Sequence, residues 1–165
     1  MLHINFTYQA FVKQRMLLES YSTEIGWHGL VRPIEDGYEI YDIVVYPQVV
    51  TGGTVEVDQG EYGQWYFEHP DFDAIRYHAH SHVDFPSYPS AKDLESEAAR
   101  HVPDDAFYIF MIWNRDMIYT ARVYDHGTLI DQDEIKLTYD VIDRDFLADV
   151  SKLVKKQEVR RYESK

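Results

Sequence analysis

Tyr77-His78-Ala79-His80-Ser81-His82-Val83-Asp84-Phe85-Pro86-Ser87-Tyr88-Pro89-Ser90-Ala91-Lys92-Asp93-Leu94 changes character twice. From Ala74 to His80 the chain reads as a strand. Pro86 and Pro89 then enforce a loop, and Ala91 to about Arg100 reads as a helix with Ser90 as N-cap. A strand that passes through a short loop into a helix predicts helices packed on a sheet. The rest of the chain agrees. Downstream, Ala106–Trp113 and Met117–Val123 read as strands joined by Asn114-Arg115-Asp116, and Thr128–Ile130 as a short strand after the turn Asp125-His126-Gly127. Asp143 to about Lys156 is a closing helix with Phe146, Leu147, Val150, Leu153 and Val154 on one side. Upstream, Thr7 caps a helix to about Tyr21 that carries Ala10, Phe11, Gln14, Leu17 and Leu18 at helical spacing. A short strand begins near Glu24 and runs to Val31, another covers Tyr38–Val45, and Thr54–Val57 follows the break at Thr51-Gly52-Gly53. Asp58 to Asp73 reads as a loop or irregular extension. The expected fold is α+β: a single domain over residues 1–156 with a mixed central β-sheet flanked by helices, and a polar C-terminal tail at 157–165.

Composition narrows the chemistry. The 165 residues carry 16 Lys and Arg against 29 Asp and Glu, a formal net charge of -13. That charge repels a phosphate backbone, so nucleic acid is not an expected partner. Cysteine is absent, which removes disulfides, iron–sulfur ligation and a thiol nucleophile. Any metal must therefore be held by His, Asp or Glu, and the chain has eight histidines. The start Met1-Leu2-His3-Ile4-Asn5-Phe6 lacks a signal-peptide pattern, and no apolar run is long enough for a membrane span. The expectation is a soluble, cytoplasmic protein without a membrane partner.

Residues two apart on a strand share a face, so His78 and His80 present two imidazoles side by side. A catalytic zinc site wants three N or O ligands and one open position. Asp93, in the first turn of the helix capped by Ser90, is placed to supply the third. His82 would share the face of His78 and His80 if the strand continues, and it and Asp84 are alternative ligands or outer partners. The ordinary reading of each piece alone is a surface histidine pair and a helix cap.

Taken together, these residues resemble the JAMM (MPN+) metalloproteases, which carry a Glu near the end of the first helix, then His-x-His, a seven-residue spacer and Ser-x-x-Asp. Here Glu24 follows the first helix, His78-Ala79-His80 matches His-x-His, and Ser90-Ala91-Lys92-Asp93 matches Ser-x-x-Asp. Read this way, the spacer from Ser81 to Pro89 is nine residues, two longer than the family pattern, and Ser81 stands where proline is usual. The extra residues imply either an outward bulge or a substrate loop of different shape.

The resemblance implies an MPN-type fold with cytidine-deaminase-like layering and a Zn2+ held by His78, His80 and Asp93. It makes Glu24 the general base and Ser90 the donor to the oxyanion. It also implies hydrolysis of a peptide or isopeptide bond in a protein or peptide substrate, ubiquitin-like tails included. The competing expectation is a non-catalytic scaffold or assembly module with a vestigial or structural metal site. The remaining histidines, His3, His28, His69, His101 and His126, read as surface or structural residues, His28 drawing notice because it lies four positions after Glu24.

Overall fold

Thr7 closes one element and opens the next. Its backbone is extended (φ −62°, ψ 159°), its hydroxyl accepts the Ala10 N–H at 3.3 Å, and the chain turns from strand β1 (Leu2–Phe6) into helix α1 (Tyr8–Ser20). The computed structural model of the protein describes residues 1–50, 55–58, 60–100 and 106–157, with residues 98–100 described by backbone alone. After α1 come β2 (Gly26–Ile34), β3 (Gly37–Val44), β4 (Gln48–Val50) and β5 (Val55–Val57). Helix α2 (Tyr62–Glu68) and a 3₁₀ turn (Phe72–Ala74) lead into β6 (Ile75–Ser81) and α3 (Ala91–Arg100). The chain ends with β7 (Phe107–Trp113), β8 (Tyr119–Asp125), β9 (Thr128–Ile130), β10 (Ile135–Tyr139) and α4 (Arg144–Leu153).

Eight strands form one mixed sheet in the order β10-β1-β3-β2-β6-β7-β8-β9, and β4 pairs with β5 in a separate ribbon. β1 runs parallel to both β10 and β3, β6 runs parallel to β7, and the other pairs are antiparallel. The sheet is strongly curved. Tyr38 on β3 stacks on Phe107 of β7 at 3.9 Å between centroids and donates its hydroxyl to Asp125 at 2.8 Å, although β2 and β6 lie between those strands. The architecture is thus a mixed α/β arrangement of single-domain size, with a large mixed sheet and four helices among the described residues.

Period-two alternation separates the two faces of the sheet. On β6, Ile75, Tyr77, Ala79 and Ser81 are buried, whereas His78 and His80 point the other way. The buried side joins Ile4, Phe6, Trp27, Ile109, Met111 and Val123 to α1, which contributes Ala10, Gln14 and Leu18. Behind the histidines, Gln14 Oε1 accepts from Trp27 Nε1 (3.1 Å) and from the Tyr77 hydroxyl (2.5 Å), and Trp113 Nε1 donates to that hydroxyl at 3.0 Å. These buried polar contacts pin α1, β2, β6 and β7 together, so the strand that carries the site is rigidly backed.

Three sequence expectations change. Strands β1 and β10 form where none was expected, each supported by parallel pairing with the other. Asp58–Asp73 is not irregular throughout but holds α2 and the 3₁₀ turn, whose rings pack on one another, as Tyr62 does on Trp65 and Tyr66 on Phe72. The closing helix forms behind its N-cap Asp143, yet none of its residues is buried, and Phe146, Leu147 and Leu153 are exposed. The Thr51-Gly52-Gly53 break, Thr54, His101 and residues 158–165 of the tail lie outside the described residues.

Candidate metal centre

The site is built where β6 ends. His82 is one residue beyond the strand, and its N–H donates to the Trp113 carbonyl at 2.8 Å, which carries the alignment with β7 one step further. Val83 then turns the chain at φ 59°, a conformation unfavourable to a β-branched residue, and its N–H is taken by Ser81 Oγ at 2.9 Å. The Phe85 N–H closes the turn on the His82 carbonyl at 2.9 Å. Because of this turn Pro86 comes back over the imidazole, and His82 Nδ1 donates to the Pro86 carbonyl at 2.8 Å. A carbonyl can only accept, so Nδ1 carries the proton and the neutral ring presents the Nε2 lone pair inward.

Asp93 reaches the same point from α3. The Ser90 N–H donates to Asp93 Oδ2 at 2.8 Å while Ser90 Oγ accepts the Asp93 N–H at 3.1 Å, a reciprocal cap that holds the carboxylate at the helix start. His80 Nε2 and His82 Nε2 lie 3.1 Å apart. His80 Nε2 is 3.1 Å from Asp93 Oδ1, and His82 Nε2 is 3.2 Å from Asp93 Oδ2. Bonds of about 2.0–2.2 Å in a tetrahedral zinc site put ligand atoms about 3.3–3.6 Å from one another, so this triangle of groups, in which each imidazole meets a different oxygen of Asp93, is of a size to hold a zinc ion with a fourth position for water. His80, His82 and Asp93 are one of two such donor groups among the described residues; the other, Asp131, Asp133 and Glu134, is wholly exposed.

Electrostatics couples these groups. Burial pushes the Asp93 carboxyl up, but the imidazoles of His80 and His82, which donate to it when they carry a proton on Nε2, more than offset this and hold Asp93 well below the usual carboxylate range. The hydrogen bond to Asp93 raises the His82 pKa, against the opposing effect of burial. Glu24 sits in the short link before β2, half-buried and facing the same cavity. Burial raises its pKa, only partly countered by His82 and His80, so a carboxyl able to accept and return a proton stands beside the triangle.

The structure therefore joins His80, Asp93, Ser90 and Glu24 around one point but does not bring His78 into the donor group. His78 Nδ1 is 3.3 Å from His28 Nδ1, and the fully buried His28 extends the contact through Nε2 to the Tyr62 hydroxyl at 2.9 Å. His82 takes the place expected of His78. The reason is the turn at Val83, which swings His82 and the loop toward α3 while His78 stays one strand row back, opposite His28. Asp84 is exposed, with Arg115 Nη1 3.9 Å away, and is outside the group. The sequence carried the signal: His-x-His occurs twice in overlap, and only His80-Ser81-His82 leaves seven residues, Val83 to Pro89, before Ser90.

The triangle lies in a cavity of about 700 Å³. Its floor is the sheet face of His78, His80, Phe110, Ile112, Thr120 and Arg122; α3 and β5 form its walls. No protein-family model matches the sequence, and a search of curated proteins finds no match. Among the described residues no helix is long and apolar enough to cross a membrane.

Proposed function

We propose that the chain is a zinc-dependent peptidase or isopeptidase of the JAMM (MPN+) type, hydrolysing an amide bond in a protein or peptide, with ubiquitin-like tails as one substrate class. The donor triangle of His80, His82 and Asp93 within a cavity that Glu24 and Ser90 also line is the observation that carries this reading. With His82 as second histidine, the seven-residue spacer of the family pattern is met, and the two-residue excess disappears. One departure persists. Val83 stands where the family usually has proline, and its φ of 59° is closed to a proline ring.

His80, His82 and Asp93 would hold the zinc, which would supply Lewis acidity and bring the pKa of a bound water to about 7. Glu24, half-buried on the same cavity, takes the proton from the attacking water and returns it to the departing amine. Ser90 Oγ already accepts from the Asp93 N–H, so its own proton is free to be donated to the oxygen that gains charge as the carbonyl becomes tetrahedral. β5 borders the cavity and offers a strand edge along which an extended substrate adds.

Elemental analysis of the purified protein and of H80A tests the reading, together with hydrolysis assays on isopeptide and peptide substrates. About one zinc per wild-type chain, absent from H80A, and amide hydrolysis abolished by chelation are expected. Wild-type protein that takes up no zinc when the metal is supplied would favour a scaffold role instead.

A further inference from the structure

We infer that Arg122, held by Glu97 on the cavity floor, anchors a carboxylate borne by the substrate one or two residues from the bond that is cut; the inference rests on the amide-hydrolase reading above. Asp93 and Glu97 are four residues apart on α3 and so share its inner face, about 6 Å apart along the helix axis. Asp93 meets the two imidazoles. Glu97, only 5% exposed, accepts from Arg122 Nε at 2.8 Å. Across the sheet the same offset recurs: His80, Ile112 and Thr120 form one cross-strand row, and His78, Phe110 and Arg122 form the next. The guanidinium therefore lies one helical turn along the cavity from the donor triangle. An extended peptide advances about 3.3 Å per residue, so that separation corresponds to about two residues of substrate.

The pair holds α3 against the sheet, but that role uses only part of the guanidinium. Nε is engaged by Glu97 and Nη2 reaches the Tyr124 hydroxyl at 3.4 Å, whereas Nη1 donates no hydrogen bond among the described residues. The side chain keeps 31% of its surface exposed and lines the cavity. Phe110 and Ile112 pave the floor beside it with apolar surface. A cation fixed on one edge by a buried carboxylate, with another edge turned to a partly apolar cavity, is preorganised to receive a second carboxylate. Among the described residues the other Lys or Arg on this cavity, Lys92, pairs with Glu56 in the open at 3.3 Å and has no such support.

The carboxylate can be an Asp or Glu side chain or a chain terminus, and three short probes separate these sources. Acetyl-Gly-Gly-Gln-amide is neutral, acetyl-Gly-Gly-Glu-amide carries a side-chain carboxylate, and acetyl-Gly-Gly-Gln with a free terminus carries a main-chain one. Each is titrated by NMR into the full chain, metal-free and zinc-loaded, in wild type and R122Q. At least one charged probe should bind about tenfold more tightly than the neutral one, with or without zinc, and R122Q should erase the difference. If R122Q does not fold, R122K replaces it; keeping the charge but not the fork, it should cut the preference by about threefold or more. Equal binding of all three probes, or none of any, would overturn the inference. So would a preference that survives in R122Q, or one that vanishes when zinc is removed, because the metal would then be the anchor. Zinc-loaded protein that keeps the preference but cleaves no amide would defeat the hydrolase reading alone.

Discussion

His82 owes its place to one backbone angle. Val83 at φ 59° sends the chain back so that the Pro86 carbonyl fixes the imidazole tautomer, and without that turn the ring would continue the strand. Substituting His82 removes a donor atom from the triangle, whereas substituting His78 removes only a neighbour engaged with His28. H82A should therefore lose zinc under conditions where H78A keeps about one per chain, measured by elemental analysis after equilibration with limiting zinc. The opposite ranking would return the site to His78. Glu24 lies outside the donor group, and its raised pKa arises first from burial. E24Q should bind zinc like the wild type while the hydrolysis rate falls by about 10²–10⁴-fold, the usual worth of a positioned acid–base group. Loss of zinc in E24Q would make Glu24 a ligand or a structural residue.

At the scale of elements, the start of α3 does two jobs with one pair of residues. The Ser90–Asp93 cap satisfies N–H groups at the helix start and aims the carboxylate at the imidazoles. S90A keeps the Ser90 N–H that donates to Asp93 but loses the hydroxyl. A stability loss of about 1 kcal/mol by thermal or urea unfolding is expected, with zinc retained and hydrolysis reduced by roughly a hundredfold or more. An S90A enzyme as active as wild type would remove Ser90 from the mechanism. The elements also differ in how openly the sequence announces them. α1 has both a cap and a spacing pattern and α3 has its Ser90 cap, and both appear where those signals put them. Leu2–Phe6 and Ile135–Tyr139 are short segments 133 positions apart at their starts (135 minus 2), and each becomes a strand by pairing with the other. α2 contains Gly63 and no buried residue, so no apolar period marks it; its aromatic side chains pack as a cluster instead.

Across the whole molecule, the distant ends of the chain are tied by a polar network around Glu39. The Glu39 carboxylate accepts from Asn5 at 2.8 Å and from Arg32 Nη2 at 2.6 Å, and Arg144 Nη2 reaches it at 3.3 Å. β1, β2, β3 and the first residue of α4 thus meet on one buried charge. Burial pushes the Glu39 pKa up, but hydrogen bonds from Arg32 and Asn5 outweigh it and leave the folded-state value below the ordinary 4.5. A carboxyl whose pKa is lowered by folding adds stability above the unfolded value and loses it as pH falls through the folded one. Stability should accordingly decline as pH drops below 4.5, and E39Q should flatten that part of the profile while costing about 1–3 kcal/mol at neutral pH. Urea unfolding of both proteins between pH 3 and 7 measures this; parallel curves would show that Glu39 contributes nothing to acid sensitivity.

Local chemistry in the sequence determined much of this protein. Period-two alternation assigned β6 its two faces, Ser90 and Asp93 announced a capped helix start, and the absence of cysteine confined any metal to His and carboxylate ligands. The seven residues between His80-Ser81-His82 and Ser90 were a further hint, but one drawn from a family pattern and not from local periods. What alternation could not decide is where the strand stops: on an uninterrupted strand His78, His80 and His82 share one face and any two of them make an equal pair. Only the tertiary structure breaks the tie. Pairing with β7 ends at Trp113, Val83 turns, and the start of α3 meets the end of β6, so His80 and His82 meet Asp93 while His78 faces His28 on β2. Long-range strand pairing and helix approach set those positions, and a reading of local periods contains neither.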